Sequence, residues 1–184
     1  MIIIEGPDNS GKTTLGVKLS LDLRLPLVHS EKPNPAWTPE QALEHATRQL
    51  RPRAALLDRV YTISEYVYGP ICRGRSALGE LHPEALLDLY CRNYLIIYCR
   101  PSDRAILNNR GRDQMEGVLE NHHKIIKEYD RLMTEVGIFG SNTIIRYNWE
   151  EIGSYPRVLH ACRKYIKEYT SRHHSAVFMG FTLC

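Results

Sequence analysis

The sequence predicts a single α/β domain, a three-layer sandwich in which a five-stranded parallel sheet lies between two layers of helices. Three observations predict it: five strand-sized apolar runs, helix-length segments between most of them, and a glycine-rich turn joining the first run to the first helix.

The runs are Met1–Glu5, Leu25–His29, Ala54–Asp58, Tyr94–Cys99 and Thr143–Tyr147, each rich in β-branched, leucine or aromatic residues. Helical segments are expected at Lys12–Leu23, Pro39–Leu50, Tyr61–Tyr68, Pro83–Arg92, Pro101–Asn109, Gln114–Val136 and Glu150–Tyr169. Thr38 ahead of Pro39-Glu40 reads as a helix entry and Gly137 as the exit of the long helix. Strands alternating with helices favour a parallel sheet, because a crossover must travel the length of the sheet. The end, Ser171–Cys184, starts polar and finishes apolar, and reads as an added strand or packing arm, with a dimer contact as the alternative.

Composition narrows the class. The 184 residues are 43% hydrophobic and 24% charged, enough apolar content for one sizeable core without the signature of disorder. A net charge of +3 suits a small anionic substrate and is too small to argue for long nucleic acid on its own. The five cysteines, Cys72, Cys91, Cys99, Cys162 and Cys184, form no C-x-x-C pair, which favours reduced thiols over a zinc site or disulfide framework. No apolar run approaches membrane-spanning length and no signal-like segment precedes the glycine turn, so a cytoplasmic protein is expected.

The turn itself, Gly6-Pro7-Asp8-Asn9-Ser10-Gly11-Lys12-Thr13, matches G-x-x-x-x-G-K-[ST]. Its glycines let the backbone wrap around phosphates, with N–H groups and a helix N-terminus pointing inward. Gly6, Asn9, Ser10, Gly11, Lys12, Thr13 and Thr14 are therefore candidates for holding ATP. Lys12 is expected at the β- and γ-phosphates, Thr13 at Mg²⁺, and Thr14 beside the α-phosphate. Leu56-Leu57-Asp58-Arg59 puts an acid and a base at the C-terminal end of the third strand, the edge where open parallel sheets bind ligands. Asp58 is a second candidate for Mg²⁺, and Arg59 for clamping an anionic acceptor. Arg110 and Arg112, with Arg104 before them, lie on a glycine-interrupted segment suited to closing over phosphates.

These residues carry a resemblance. Glu5-Gly6-Pro7-Asp8-Asn9-Ser10-Gly11-Lys12-Thr13-Thr14 is similar to the phosphate loop of thymidylate kinases and related nucleoside monophosphate kinases. Asp58-Arg59 with Ser64, Tyr68-Gly69 and Arg73 resembles the acceptor stretch of that family. Arg110-Gly111-Arg112, with Tyr129 beyond it, resembles the arginine lid, here spanning about residues 104–118. The resemblance implies the P-loop NTPase strand order 2-3-1-4-5, a homodimer, an ATP-dependent nucleotide kinase and a deoxynucleoside monophosphate such as dTMP as acceptor. It places Asp8, Arg59, Ser64, Tyr68 and Arg73 around that acceptor, and adenine near Asn148-Trp149. The departures lie on the acceptor side: Val60 and Gly69 replace the usual aromatic and glutamine, and strand 2 ends in His29-Ser30-Glu31-Lys32-Pro33. Glu31-Lys32-Pro33-Asn34-Pro35-Ala36-Trp37 also resembles deoxynucleoside kinases. There the glutamate acts as general base on a hydroxyl, so a kinase of a nucleoside, modified nucleotide or DNA-base hydroxyl stays open. A non-catalytic nucleotide-binding module is the remaining alternative. The histidine pairs His122-His123 and His173-His174 lack helical metal-ligand spacing and read as surface residues.

Overall fold

A computed structural model describes residues 1–30, 34, 36–51, 53–108 and 116–179, with only the backbone described for 172–179. Its elements run β1 (Ile2–Glu5), α1 (Lys12–Leu23), β2 (Leu27–His29), α2 (Pro39–Gln49), β3 (Leu56–Asp58), α3 (Tyr61–Arg73), a 3₁₀ turn (Gly79–Leu81), α4 (His82–Tyr90), β4 (Leu95–Cys99), α5 (Asp103–Asn108), α6 (Val118–Phe139), β5 (Thr143–Tyr147) and α7 (Ser154–Met179). The five strands form one parallel sheet in the order β2-β3-β1-β4-β5, as expected.

The strands alternate between two cores because successive side chains leave a strand on opposite faces. Ile3, Leu57, Ile96 and Tyr98 face a layer built from α3 and α6, where Tyr129, Leu132 and Val136 are buried. Ile2, Ile4, Leu56, Leu95 and Ile97 face the opposite layer, with Leu15 and Leu19 of α1 and Val158 and Cys162 of α7. A third, smaller cluster joins α2 to α3 and α4 through Ala42, Ala46, Tyr61, Leu78 and Ala85, with Trp37 packed on it. Both faces of β1 and β4 are therefore dry, which explains their near-continuous apolar sequences.

Helix boundaries show where local signals compete with packing. Thr38 caps α2 as expected, with Gln41 completing a reciprocal capping box. The third helix does not stop at Tyr68. It continues through Pro70 to Arg73 and ends at Gly74, held along its length by contact with α6. Gly137 is not the exit of α6, which runs on to Phe139. A Cβ at Gly137 would lie 3.2 Å from Ile144 Cγ1, so this glycine serves the close approach of helix to sheet. Residues 148–153 form turns, delaying α7 to Ser154. Residues 171–179 continue α7 and add no strand; residues 180–184 lie outside the described residues. Cys72, Cys91, Cys99 and Cys162 are free thiols. No described helix is long and apolar enough to cross a membrane.

Asn142 shows how the frame is tied. Buried before β5, it accepts from the Tyr94 N–H at 2.9 Å and donates to the Leu89 carbonyl at 2.9 Å. Asn142→Ala leaves the Tyr94 N–H unpaired and removes one of the donors to the Leu89 carbonyl, which keeps the Arg92 N–H, so urea unfolding is expected to show a loss of about 1–3 kcal/mol. Thr38→Ala, which removes an exposed cap, is expected to cost about 1 kcal/mol.

Candidate active site

The C-terminal ends of β1, β3 and β4 gather the chemistry on one edge. Gly6 leaves β1 at φ +147°, and a Cβ there would lie 2.4 Å from the Cys99 carbonyl oxygen, so only glycine lets the loop pass β4. Asn9 takes a left-handed conformation at φ +64°, which asparagine tolerates better than most residues. The loop then opens directly into α1 at Lys12. Lys12 is buried, and its Nζ donates to the Pro7 carbonyl within the same loop at 2.6 Å. Burial, then the nearby Arg59 guanidinium, lowers its pKa. The Ser10 hydroxyl is fully buried and has no hydrogen-bond partner among the described residues. A lysine held by loop backbone and an unpaired hydroxyl inside the loop fit a phosphate-binding cradle. Thr14 is exposed on the first turn of α1.

Two side-chain groups flank Lys12. In the first, Thr13 Oγ1 donates to Asp58 Oδ2 at 2.9 Å, and His29 Nδ1 lies 3.1 Å from the same oxygen. Thr13 and Asp58 offer the hard oxygen donors that Mg²⁺ prefers. No third His, Cys, Asp or Glu joins them to form a protein-only site among the described residues. In the second group, Arg59 pairs with Asp8 Oδ1, and its guanidinium carbon lies 5.2 Å from the centre of the Tyr68 ring. The Asp8 N–H donates to the Tyr68 hydroxyl at 3.1 Å. Burial pushes that hydroxyl up to about 12, so Tyr68 is neutral at physiological pH. Arg59 itself sits at φ +75°, an uncommon conformation for a side chain of its size. The turn keeps its N–H on the Ile4 carbonyl at 3.0 Å while the side chain swings toward the loop.

Behind both groups lies Glu5, fully buried at the end of β1. Its carboxylate accepts from the Gly6 N–H, the Val60 N–H and the Tyr129 hydroxyl, the last at 3.4 Å. Burial raises its pKa to about 7, against the opposing pull of Arg59, the Val60 N–H, Lys12 and the Gly6 N–H.

Other expected residues lie farther off. Ser64 is on α3 with its hydroxyl buried and unpaired among the described residues. Arg73, at the far end of α3, donates to both carboxylate oxygens of the buried Glu65 at 2.6 Å. The Ala77 N–H also binds Glu65, fixing the turn after α3. Arg104 lines a cavity of about 350 Å³ with Ala105, Asn108, Trp149 and Glu150. This cavity adjoins the loop, because a Cβ at Gly11 would lie 3.1 Å from Trp149 Cδ1. Glu31, Arg110 and Arg112 lie outside the described residues.

Sequence reasoning assigned no role to Glu5, His29 or Glu65. Glu5 had a visible signal, an acid inside an otherwise apolar strand. His29 shared a strand-end position with Asp58, its register partner in the sheet. Glu65 could not be paired with Arg73 until α3 was known to extend past Pro70.

Glu5 predicts a pH effect. Its folded pKa lies above the unfolded value near 4.5, so its favourable contribution is complete below about 4.5 and is lost as pH rises through about 7. The difference in melting temperature, Glu5→Gln minus wild type, is therefore expected to grow from pH 4.5 to pH 8. A difference that stays flat across that range refutes the assignment.

No protein-family model matches the chain. It is 25% identical over 154 residues to the SPbeta prophage-derived uncharacterized protein YorR of Bacillus subtilis, covering 82% of this chain and 88% of YorR. The crystal structure of YorR in complex with phosphorylated GDP superposes with a TM-score of 0.65 at 21% identity, covering 94% of this chain and 97% of YorR. Thymidylate kinase from Candida albicans gives 0.56 at 14% identity, with 92% and 91% covered. Deoxyadenosine kinase from M. mycoides, with products dCMP and a flexible dCDP bound, gives 0.53 at 16% identity, with 91% and 98% covered. The phosphate loop, the sheet order and these likenesses together establish that the chain has the thymidylate kinase-like P-loop kinase fold.

Proposed function

We propose that the protein is a nucleotide kinase that transfers the γ-phosphate of ATP to a deoxynucleoside monophosphate, dTMP or a related pyrimidine nucleotide. The observation that carries this reading is that two unlike groups meet at the phosphate loop: Thr13 with Asp58, and Asp8 with Arg59 and Tyr68. One suits Mg²⁺ on the donor phosphates, and the other an anionic acceptor with its sugar. The names of the kinases with this fold are in keeping with a nucleotide at both places.

The roles follow from charge. Phosphoryl transfer spreads negative charge over the moving group, so positioning and cationic stabilisation do most of the work. Lys12 leaves the Pro7 carbonyl and takes up the β- and γ-phosphates. Thr13 and Asp58 would hold Mg²⁺, which would supply positive charge to offset that of the phosphates. Arg59 grips the acceptor phosphate, whose own oxygen is the nucleophile, while Asp8 meets the sugar. The cavity at Arg104 and Trp149 takes the adenine of the donor, one side chain offering a cation and the other a ring face. Arg110 and Arg112, which lie outside the described residues, are the cations we assign to the transferring group from the sequence.

The test is a panel of labelled-product assays with nucleosides, nucleoside monophosphates and oligonucleotides as acceptors. Phosphate is expected on the deoxynucleoside monophosphates, with dTMP or a related pyrimidine nucleotide foremost. ATP binding with no phosphate on any acceptor would overturn the kinase reading and leave a binding module.

Lys12→Ala is expected to lower turnover about 10²–10³-fold, the usual cost of losing one group aimed at developing charge. Arg59→Ala is expected to raise the acceptor KM about 10–100-fold, in line with ~1.5–3 kcal/mol for a charge-assisted bond. ATP affinity should change little in that variant. If Glu31→Gln abolishes turnover and nucleosides are the better acceptors, a hydroxyl acceptor with Glu31 as general base replaces the monophosphate.

A further inference from the structure

The α3–α6 pair has a second concave face that the proposed site does not use. It encloses about 650 Å³ and is lined by Tyr66, Pro70, Ile71 and His82 on one wall and by Lys124, Lys127, Glu128 and Arg131 on the other. None of these residues lines the cavity at Trp149, and none takes part in the polar contacts of the Asp8–Arg59–Tyr68 group among the described residues. Tyr66 and Tyr68 are two residues apart on one helix, roughly 200° around its axis, so α3 offers one tyrosine to each side.

Its chemistry is divided. The floor is apolar and aromatic: Ile71 and Pro70 lie beside Tyr66, whose ring meets His82 edge-on at 4.8 Å. The His82 Nε2 is buried with no hydrogen-bond partner among the described residues. The opposite rim is cationic. Lys124, Lys127 and Arg131 fall on one stripe of α6, separated by about 4.5 Å and about 6 Å of helix rise. Arg131 is already engaged with Glu128 and Glu135, donates to the Tyr66 hydroxyl at 2.6 Å and sits over the Tyr66 ring. Lys124 and Lys127 are exposed and have no ion-pair partner among the described residues. Arg131 is thus a fixed part of the wall, whereas the two lysines are uncommitted cations above an apolar floor.

We infer that this groove is a second nucleotide site, holding a nucleoside di- or triphosphate with its base on the Tyr66–Ile71–His82 floor and its phosphates on Lys124 and Lys127. The enclosed volume lies within the range of small-ligand pockets, and the pairing of a few polar groups with an apolar floor is their usual composition. A base with hydrogen-bonding edges also supplies a partner for the buried His82 nitrogen. A free nucleotide fits better than a strand, because the cationic rim spans only about two turns of α6. The location gives the site a reason to matter. The two helices it bridges carry Tyr68 and Tyr129 to the opposite side, where one meets Asp8 and the other Glu5.

Photolabelling with 8-azido-ADP, followed by peptide mapping, tests the inference. The wild-type chain is expected to be labelled both near Trp149 and on the segment containing Tyr66 to His82. In Lys124→Glu/Lys127→Glu the second label should fall about tenfold or more, with the Trp149 label and the melting temperature unchanged. Lys124→Gln/Lys127→Gln should give an intermediate loss. Labelling confined to the Trp149 region in the wild type, or a groove label that survives charge reversal, overturns the site. Displacement of the groove label by oligothymidylate at equal nucleotide concentration overturns the assignment to a free nucleotide. A shift from dimer to monomer in the reversed variant, with wild-type labelling absent from the groove, makes the face a contact with a second copy instead. Because binding is read directly, the outcome does not depend on whether phosphate is transferred.

Discussion

Three chain segments converge on one carboxylate. Glu5 ends β1, and by accepting from Gly6, Val60 and Tyr129 it fixes the start of the phosphate loop, the turn after β3 and the middle of α6. A carboxylate is well suited to this because two oxygens can accept several donors at once. Its burial costs free energy that the surrounding donors and the charges of Arg59 and Lys12 offset in part. The candidate site is arranged outward from that junction. The loop starts one residue later, Arg59 lies one residue before Val60, and Tyr129 packs edge-on against Tyr68 at 6.0 Å.

A second constraint is the dry sheet beneath. With both faces of β1 and β4 covered, register errors would expose apolar side chains or bury polar ones, so the strand ends are held in a fixed relation. The loop glycine therefore meets the Cys99 carbonyl, and Asp58 meets Thr13, at positions set by the sheet register. On the outer side, Arg100 forks across Asp130 at 2.9 and 3.0 Å while the Tyr98 hydroxyl donates to the same carboxylate at 2.7 Å. That arrangement pins α6 to β4 at the residue after Tyr129, so at this level the helix is tied to both β1 and β4.

The phosphate loop and the five strands could be read from residue types because both rest on local rules: glycines where the backbone must turn, β-branched residues where strands are buried, a hydroxyl and a lysine where phosphate charge falls. The order of the strands came only with the family resemblance. Thr38 was legible for the same reason, since a cap and its Gln41 partner are three residues apart. What stayed hidden depends on distant partners. Pro70 reads as a helix stop, yet α3 carries on because its contact with α6 outweighs one missing hydrogen bond. Gly137 reads as an exit, yet it marks where Ile144 presses on α6. The pairing of Arg73 with Glu65, eight residues back along a helix longer than local signals allow, was also hidden. His29 gave no signal at all until the pairing of β2 with β3 set it beside Asp58.

The two halves of the site are built from different materials. On the donor side, shape comes from backbone: Gly6 passes within reach of the Cys99 carbonyl, and the loop N–H groups and the helix entry need few side chains beyond Lys12, Thr13 and Asp58. On the acceptor side, shape comes from side chains carried by α3 and the loop, Tyr68 and Arg59 against Asp8. Point substitutions can therefore redraw the acceptor side, one residue at a time, while the donor cradle tolerates almost none. On the proposed function, such a scaffold keeps its phosphate source over evolutionary time and exchanges its recipient, so sequence divergence among its descendants should accumulate along α3 and spare the glycine turn.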